Sequence, residues 1–161
     1  MRKLPPDIQA SVDVWQTMLT TFFRLGQSIR ATFTQYDLTG PQWRVFRTLG
    51  ERAGEGLTPG QISEELRVTP GNTTGILDKL EQAGLTCRVP HPTDRRALLV
   101  ELTEQGSELY SRVRPAFDQR VAELFECLTL EEKQELVASL RKIVEHAEKV
   151  HPQASAPPEQ S

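Results

Sequence analysis

The chain has 161 residues, of which 37% are hydrophobic, 25% charged and 6% aromatic, and this composition suits one soluble, helix-rich domain. It contains no apolar run of roughly 18 residues, so we predict no membrane-spanning helix. The N-terminus lacks an apolar signal core and a small-residue cleavage site, and we therefore expect a cytoplasmic protein. The net charge of −3 does not indicate nucleic-acid binding by itself, so such a function must be argued from local motifs.

The first 35 residues carry an amphipathic helical pattern. Apolar residues recur at steps of three, four or seven, namely Ile8, Val12, Trp15, Leu19, Phe22, Ile29 and Phe33. A helix of this extent is about 40 Å long, too long to bury its apolar stripe against a small domain. The pattern therefore predicts a helix that needs a partner.

Further helix starts are marked by threonines. Three segments place a threonine three residues before Gln or Glu, the spacing of a capping box: TGPQ (39–42), TPGQ (58–61) and TLEE (129–132). In TPGQ and again in TPGN (69–72), proline follows the threonine at the first helical position, where its missing N–H costs nothing. Helices are therefore predicted to begin near residues 40, 59, 70 and 130.

A short helix, a tight turn and a second helix ending at Gly84 are followed by two strands, LTCRVP and ALLVEL. Helix–turn–helix followed by a hairpin is the order of a winged helix-turn-helix. Long helical patterns follow, from Thr103 to about Cys127 and from about 130 to 150. The predicted fold class is mainly α with a small antiparallel β-hairpin, a winged helix-turn-helix domain flanked by long helices.

The second helix of this motif would read base edges in the major groove through its N-terminal residues. Those residues are Pro70, Gly71, Asn72, Thr73 and Thr74. Asparagine can bond adenine bidentately, and the small Pro-Gly pair lets a helix N-terminus approach phosphate. The alternative is that the cluster is simply a good helix cap.

Charge placement favours the DNA-binding interpretation modestly. Residues 66–96 hold five basic residues against three acidic ones, a balance of +2 in a chain of net charge −3. The basic residues are Arg67, Lys79, Arg88, Arg95 and Arg96. Positive charge is therefore concentrated in the segment 66–96, which is predicted to contact DNA. Lys79 is added to the DNA-binding candidates.

Residues 38–103 resemble the MarR family of transcriptional regulators. The similar segments are LTGPQWRVFRTL, LTPGQISEELRVTPGNTTGILDKLEQAGL and DRRALLVELTEQG, and the flanking helices extend the likeness over nearly the whole chain. The resemblance implies a cytoplasmic homodimer without cofactor, bound to double-stranded palindromic DNA. It predicts an N-terminal dimerisation helix (7–35), a winged helix-turn-helix domain (38–103) with recognition helix (70–83) and wing (85–102), C-terminal dimerisation helices (104–150) and a disordered tail (151–161).

The resemblance also implies roles for single residues. Asn72 and Thr74, with Pro70 and Gly71, match the base- and phosphate-facing start of the family's recognition helix. In the wing, Asp94 and Arg96 match a salt-bridged pair that braces the loop. Arg95 matches the tip arginine that enters the minor groove, whose negative potential attracts arginine when the groove is narrow.

The resemblance also implies regulation by a small aromatic or phenolic ligand. Residues that could line such a pocket are Trp15, Leu19, Phe22, Tyr36, Trp43 and Arg44. An aromatic stripe at helical spacing is more often simply core, and Arg44 could equally pair a neighbouring glutamate.

Other function classes receive less support. Cys87 and Cys127 lack an adjacent activating histidine, so a redox-sensing regulator is the weaker alternative. The three histidines do not share a helical face, so no metal site is predicted. No phosphate loop, nucleophile elbow or HExxH motif indicates an enzyme. A winged helix that binds proteins instead of DNA remains the rival interpretation.

Overall fold

The computed structural model describes residues 4–52, 54–94 and 96–150. In these ranges the elements are, in chain order, α1 (Pro6–Thr34), α2 (Gly40–Glu51), α3 (Pro59–Leu66), α4 (Pro70–Gln82), β1 (Thr86–Pro90), β2 (Leu98–Leu102), α5 (Glu104–Leu124) and α6 (Leu130–Val150). The predicted fold class is therefore confirmed. None of the described helices has the length and apolar character that crossing a membrane requires. The predicted disordered tail, residues 151–161, lies outside the described residues.

The four predicted helix starts are confirmed, and hydrogen bonds between nearby residues explain them. At α2 the Gln42 N–H donates to Thr39 Oγ1 at 3.3 Å, while the Thr39 N–H donates to Gln42 Oε1 at 2.8 Å. The same reciprocal pair forms at the start of α3. At α6 the Thr129 N–H donates to Glu132 Oε2 at 2.8 Å. These bonds satisfy backbone donors that a helix start otherwise leaves free.

The core lies where α2, α3, α4, the hairpin and the first half of α5 meet. Its largest fully buried side chains are Val45, Phe46, Ile62, Thr73, Leu77, Leu80, Val100 and Val113. An aromatic group extends this core to α1, because the Trp43 ring lies 5.6 Å from that of Phe33 and 5.3 Å from that of Phe117, centroid to centroid. Three helices are thereby joined at one point.

Two helices leave apolar surface open in the single chain. On α1 the exposed apolar residues are Ile8, Val14, Trp15, Met18, Leu19, Phe22 and Phe23. On α6 they are Leu130, Leu136, Val137, Ile143, Val144 and Val150. Phe22 is 72% exposed, whereas the aromatic residues of the core are nearly inaccessible. Many apolar residues of α1 and α6 therefore lie outside the core of this chain.

Candidate nucleic-acid interface

The helix-turn-helix is closed by backbone and side-chain bonds at the end of α3. Arg67 adopts the left-handed conformation, with φ of 51°, and the Val68 N–H donates to the Ser63 carbonyl at 3.0 Å. Arg44 Nη2, from α2, donates to the Leu66 carbonyl at 2.7 Å. Arg44 therefore satisfies an orphan carbonyl of α3 and fixes the turn, a role that the sequence did not indicate.

The start of α4 divides its polar residues between solvent and core. The Asn72 N–H donates to Thr69 Oγ1 at 3.4 Å, and Pro70, Gly71, Asn72 and Thr74 are exposed. Thr73 is fully buried, and its Oγ1 accepts from Ser63 Oγ at 2.9 Å. The expectation that Thr73 contacts DNA is therefore corrected, because its hydroxyl joins α3 to α4 inside the domain.

The exposed side of α4 continues beyond its first turn. Lys79 is exposed and lies seven residues after Asn72, which places both on the same side of the helix two turns apart. Thr74 Oγ1 donates to the Pro70 carbonyl at 3.0 Å, so it retains acceptor capacity for an incoming donor. The same side of α4 thus presents the Asn72 amide and the Lys79 ammonium group to solvent, while the Thr74 hydroxyl faces solvent about 160° away around the helix axis.

The wing is a regular antiparallel hairpin anchored at its base. Its register pairs Thr86 with Leu102 and Pro90 with Leu98. Leu57, from the loop before α3, adds a two-way backbone bridge to buried Val100, with N–O distances of 3.1 and 2.8 Å. The hairpin base is therefore part of the helix-turn-helix core and not a separate arm.

The loop at the wing tip is ordered by its own polar groups. His91 Nδ1 accepts from the Thr93 and Asp94 backbone N–H groups at 3.3 and 3.1 Å. Asp94 Oδ1 accepts from the Arg96 backbone N–H at 2.9 Å, and among the ion pairs of the described residues none joins these two side chains. The predicted salt bridge between Asp94 and Arg96 is therefore corrected: the two residues are joined by a turn hydrogen bond to the Arg96 backbone. Arg95 lies outside the described residues.

Two basic residues in the segment 66–96 have acidic partners. Arg67 pairs with Glu148 of α6 at 2.8 Å. Arg88, on β1, pairs with Asp78 at 2.6 Å and also with Glu81, both on α4. The hydrogen bond that Arg88 donates to Asp78 is the main cause that raises the pKa of Arg88 above its ordinary value. Asp78, whose charge would oppose DNA, is therefore neutralised from the wing.

The comparisons with known proteins agree with this geometry. Residues 36–97 match the family model described as MarR family. Over 123 residues the chain is 30% identical to the HTH-type transcriptional regulator PecS of Dickeya dadantii, covering 76% of this chain and 74% of PecS. The chain belongs to the MarR family of DNA-binding transcriptional regulators. The family resemblance predicted from sequence is thereby confirmed.

Two further similar proteins, one a curated relative and one a solved structure, support the assignment of this MarR-family protein. The homoprotocatechuate degradative operon repressor of Escherichia coli is 27% identical over 115 residues, which cover 71% of this chain and 76% of that one. The crystal structure of AbsC, a MarR family transcriptional regulator from Streptomyces coelicolor, superposes with a TM-score of 0.81 at 25% identity, covering 92% of this chain and 99% of that one. The fold is therefore shared over nearly the full length.

The six predicted pocket residues do not share one environment in this MarR-family chain. Trp43 is 3% exposed and is enclosed by aromatic rings, which makes it a core residue. Trp15, Leu19 and Phe22 lie on the open side of α1. Tyr36 is half-buried, with the Arg112 guanidinium 6.0 Å from its ring centroid. The expectation that Trp43 faces a ligand is corrected by its packing, whereas Arg44 is exposed and its part in a ligand pocket stays a prediction.

Sequence reasoning missed two functional candidates, His91 and Arg88. His91 accepts bonds from residues two and three positions later, so the HPTD turn held a local signal for it. No local sequence signal indicated the role of Arg88, because its partners are seven and ten residues away on another element. Cys87 is half-buried on β1 and Cys127 is exposed after α5; both are free thiols.

Proposed function

We propose that this MarR-family protein is a homodimeric repressor that binds a palindromic operator and is released by a small aromatic or phenolic ligand. The observation that carries the DNA-binding part is the exposed start of α4, with Asn72, Thr74 and Lys79 in solvent beside an ordered wing. The major groove, about 12 Å wide, admits one helix in this orientation.

The contacts are assigned from the chemistry of the exposed groups. Asn72 reads adenine through its amide, Thr74 offers a hydroxyl and a methyl, and the Pro70–Gly71 backbone approaches phosphate. Lys79 adds a sequence-independent phosphate contact. In the minor groove the proposed contact is Arg95, which rests on the sequence pattern. It is supported by the neighbouring hydrogen bond from the His91 N–H to the Ala97 carbonyl.

Dimerisation is supported by the open apolar surfaces of α1 and α6. Contiguous apolar surface of this kind is characteristic of protein–protein contact. A two-fold axis through these helices would present two copies of α4, and a symmetric dimer would place the half-sites about 10 bp apart, centre to centre.

The proposed ligand and the proposed repressor role rest on fewer observations. Trp15, Leu19 and Phe22 on α1 and half-buried Tyr36 supply aromatic and aliphatic surface suited to a small aromatic molecule. One relative is named as the repressor of an operon that degrades homoprotocatechuate, itself a phenolic acid. Release of the protein from DNA by phenolic acids is therefore expected.

The decisive experiment is duplex binding as a function of salt. We expect a steep negative slope of log K against log salt for the wild type, and Arg95→Ala should lower its magnitude by about one, the loss of one phosphate-neutralising charge. Arg24→Ala, on the side of α1 away from its apolar stripe, makes the same charge change and should leave the slope unaltered. Weak binding without a steep slope would favour a protein-interaction module instead.

A further inference from the structure

Arg88 connects the wing to the recognition helix. It is the middle residue of β1, and its guanidinium meets two carboxylates of α4, Asp78 Oδ1 at 2.6 Å from Nη2 and Glu81 Oε2 next to Nη1. Asp78 and Glu81 are three residues apart, so they lie on adjoining turns of one helix side. These are the side-chain hydrogen bonds that the described residues form between β1 and α4.

The geometry differs from that of an ordinary surface ion pair. The Arg88 side chain is 30% exposed, less than any other arginine in the ion pairs of the described chain. Each terminal nitrogen has its own carboxylate, so both arms of the planar fork are occupied. A lysine ammonium, as a point charge on a flexible stem, cannot reproduce this arrangement.

The position of this contact along the hairpin is equally informative. The wing base is already fixed by the Leu57–Val100 bridge and by Thr103 Oγ1, which donates to the Gly84 carbonyl at 2.6 Å. Arg88 is paired in register with Val100, so it lies level with that bridge but on the other strand of the hairpin, two residues beyond Thr86. The Leu57 bridge holds β2 to the loop before α3, whereas Arg88 holds β1 directly to α4 and thereby restrains the angle between the hairpin and that helix.

We propose that Arg88 is a positioning residue for DNA binding, holding the wing at a fixed angle to the recognition helix so that both engage one duplex together. The inference rests on the proposed function. Two linked contacts strengthen binding when their geometry lets both form at once. This advantage decreases when one of the two binding elements can move relative to the other. Fixing the angle before binding also avoids an ordering cost at the moment of contact.

A simple charge effect is the competing explanation, and two variants separate the two. Arg88→Gln removes the cation, and both explanations predict weaker DNA binding. Asp78→Ala with Glu81→Ala keeps the cation but removes its anchors. A charge effect predicts tighter binding after two negative charges are lost from α4, whereas positioning predicts reduced discrimination between sequences.

The experiment measures affinity for a duplex that the wild type selects from a random-sequence library, relative to a scrambled duplex at the same salt. We expect the ratio of the two affinities to fall roughly tenfold in Arg88→Gln and in the double alanine variant. Arg88→Lys should stay close to Arg88→Gln although its charge is retained. Arg52→Gln, which breaks the 3.1 Å pair with Glu65 between α2 and α3, is the matched control and should keep the wild-type ratio.

Thermal unfolding and dimer mass identify any variant that fails to fold. If Arg88→Gln does not fold, the double alanine variant decides, since alanine favours the helix. An unchanged or higher ratio in the folded double variant overturns the inference. If the wild type itself selects no duplex, the proposed function fails instead, so the two failures are distinguishable.

Discussion

Asn72 and Thr73 are consecutive polar residues near the start of α4, and their side chains are about 100° apart around the helix axis. Asn72 is exposed, while Thr73 is fully buried and bonded to Ser63. A one-residue step therefore separates a group that can read DNA from one that holds the two helices of the motif together. Substitutions at the two positions should have different consequences.

Asn72→Ala should relax base preference while leaving the fold intact. The amide is exposed and its side chain has no intramolecular bond among the described contacts, so stability should change by less than about 0.5 kcal/mol. Loss of one bidentate base contact should cost about 1–3 kcal/mol of discrimination at one position of the site. Selection from a random-sequence library measures it; an unchanged base profile would exclude Asn72 from readout.

Thr73→Val should produce the opposite pattern. The valine keeps the volume but cannot accept from Ser63 Oγ, and we expect a loss of about 1 kcal/mol in the free energy of unfolding. Base preference should remain that of the wild type in the folded protein. Urea unfolding checks the first result, and a changed base profile would show that Thr73 affects DNA contacts after all.

At the scale of elements, α5 begins against the base of the wing. Thr103 Oγ1 accepts from the Gly106 N–H at 3.0 Å and donates to the Gly84 carbonyl. Gly106 is buried, and a Cβ there would overlap the carbonyl oxygen of Leu85. The junction of recognition helix, hairpin and α5 therefore depends on a close approach that only glycine permits.

Gly106→Ala should destabilise the protein by about 2–3 kcal/mol, since a backbone atom must move to make room. Gly75→Ala is the matched control, because Gly75 is an exposed helical glycine with nothing within 4 Å of the added methyl group. The control should instead raise stability by about 0.5–1 kcal/mol through its helix propensity. Chemical unfolding of both variants is the measurement, and equal stabilities would contradict the packing argument.

At the scale of the whole molecule, apolar side chains are exposed mainly at the two long terminal helices. The apolar stripe predicted on α1 is open over Ile8 to Phe22 and buried at Phe33, and α6 exposes a second stripe. Arg67 and Glu148 nevertheless connect the end of α6 to the helix-turn-helix, 81 residues away in sequence. Association through α1 and α6 would therefore lie close to the elements that bind DNA.

Phe22→Glu should weaken the proposed dimer, because it places an uncompensated charge in an apolar interface. We expect the dimer dissociation constant to rise by more than roughly tenfold, with a matching loss of DNA affinity at low protein concentration. Thr20→Glu, on the opposite side of α1, adds the same charge and should leave the dimer intact. Sedimentation equilibrium gives the dimer dissociation constants of the two variants. An unchanged constant for Phe22→Glu would show that this stripe is not the dimer interface.

Much of the fold could be predicted because its signals are local. Thr39, Thr58, Thr69 and Thr129 mark helix starts through bonds to residues three positions later, so a short stretch of chain contains both partners. The hairpin could be predicted from alternating strands and turn residues. The family could be predicted because its motifs are contiguous segments of this kind.

The sequence by itself determined the elements, their order, the family and the exposed start of the recognition helix. Only the tertiary structure decided which polar residues of that helix point inward, that Arg44 caps α3 and that Trp43 belongs to the core. It also decided that Arg88 joins the wing to α4. These outcomes depend on how separate elements dock, and docking is set by packing among residues far apart in the chain, which no short sequence pattern records.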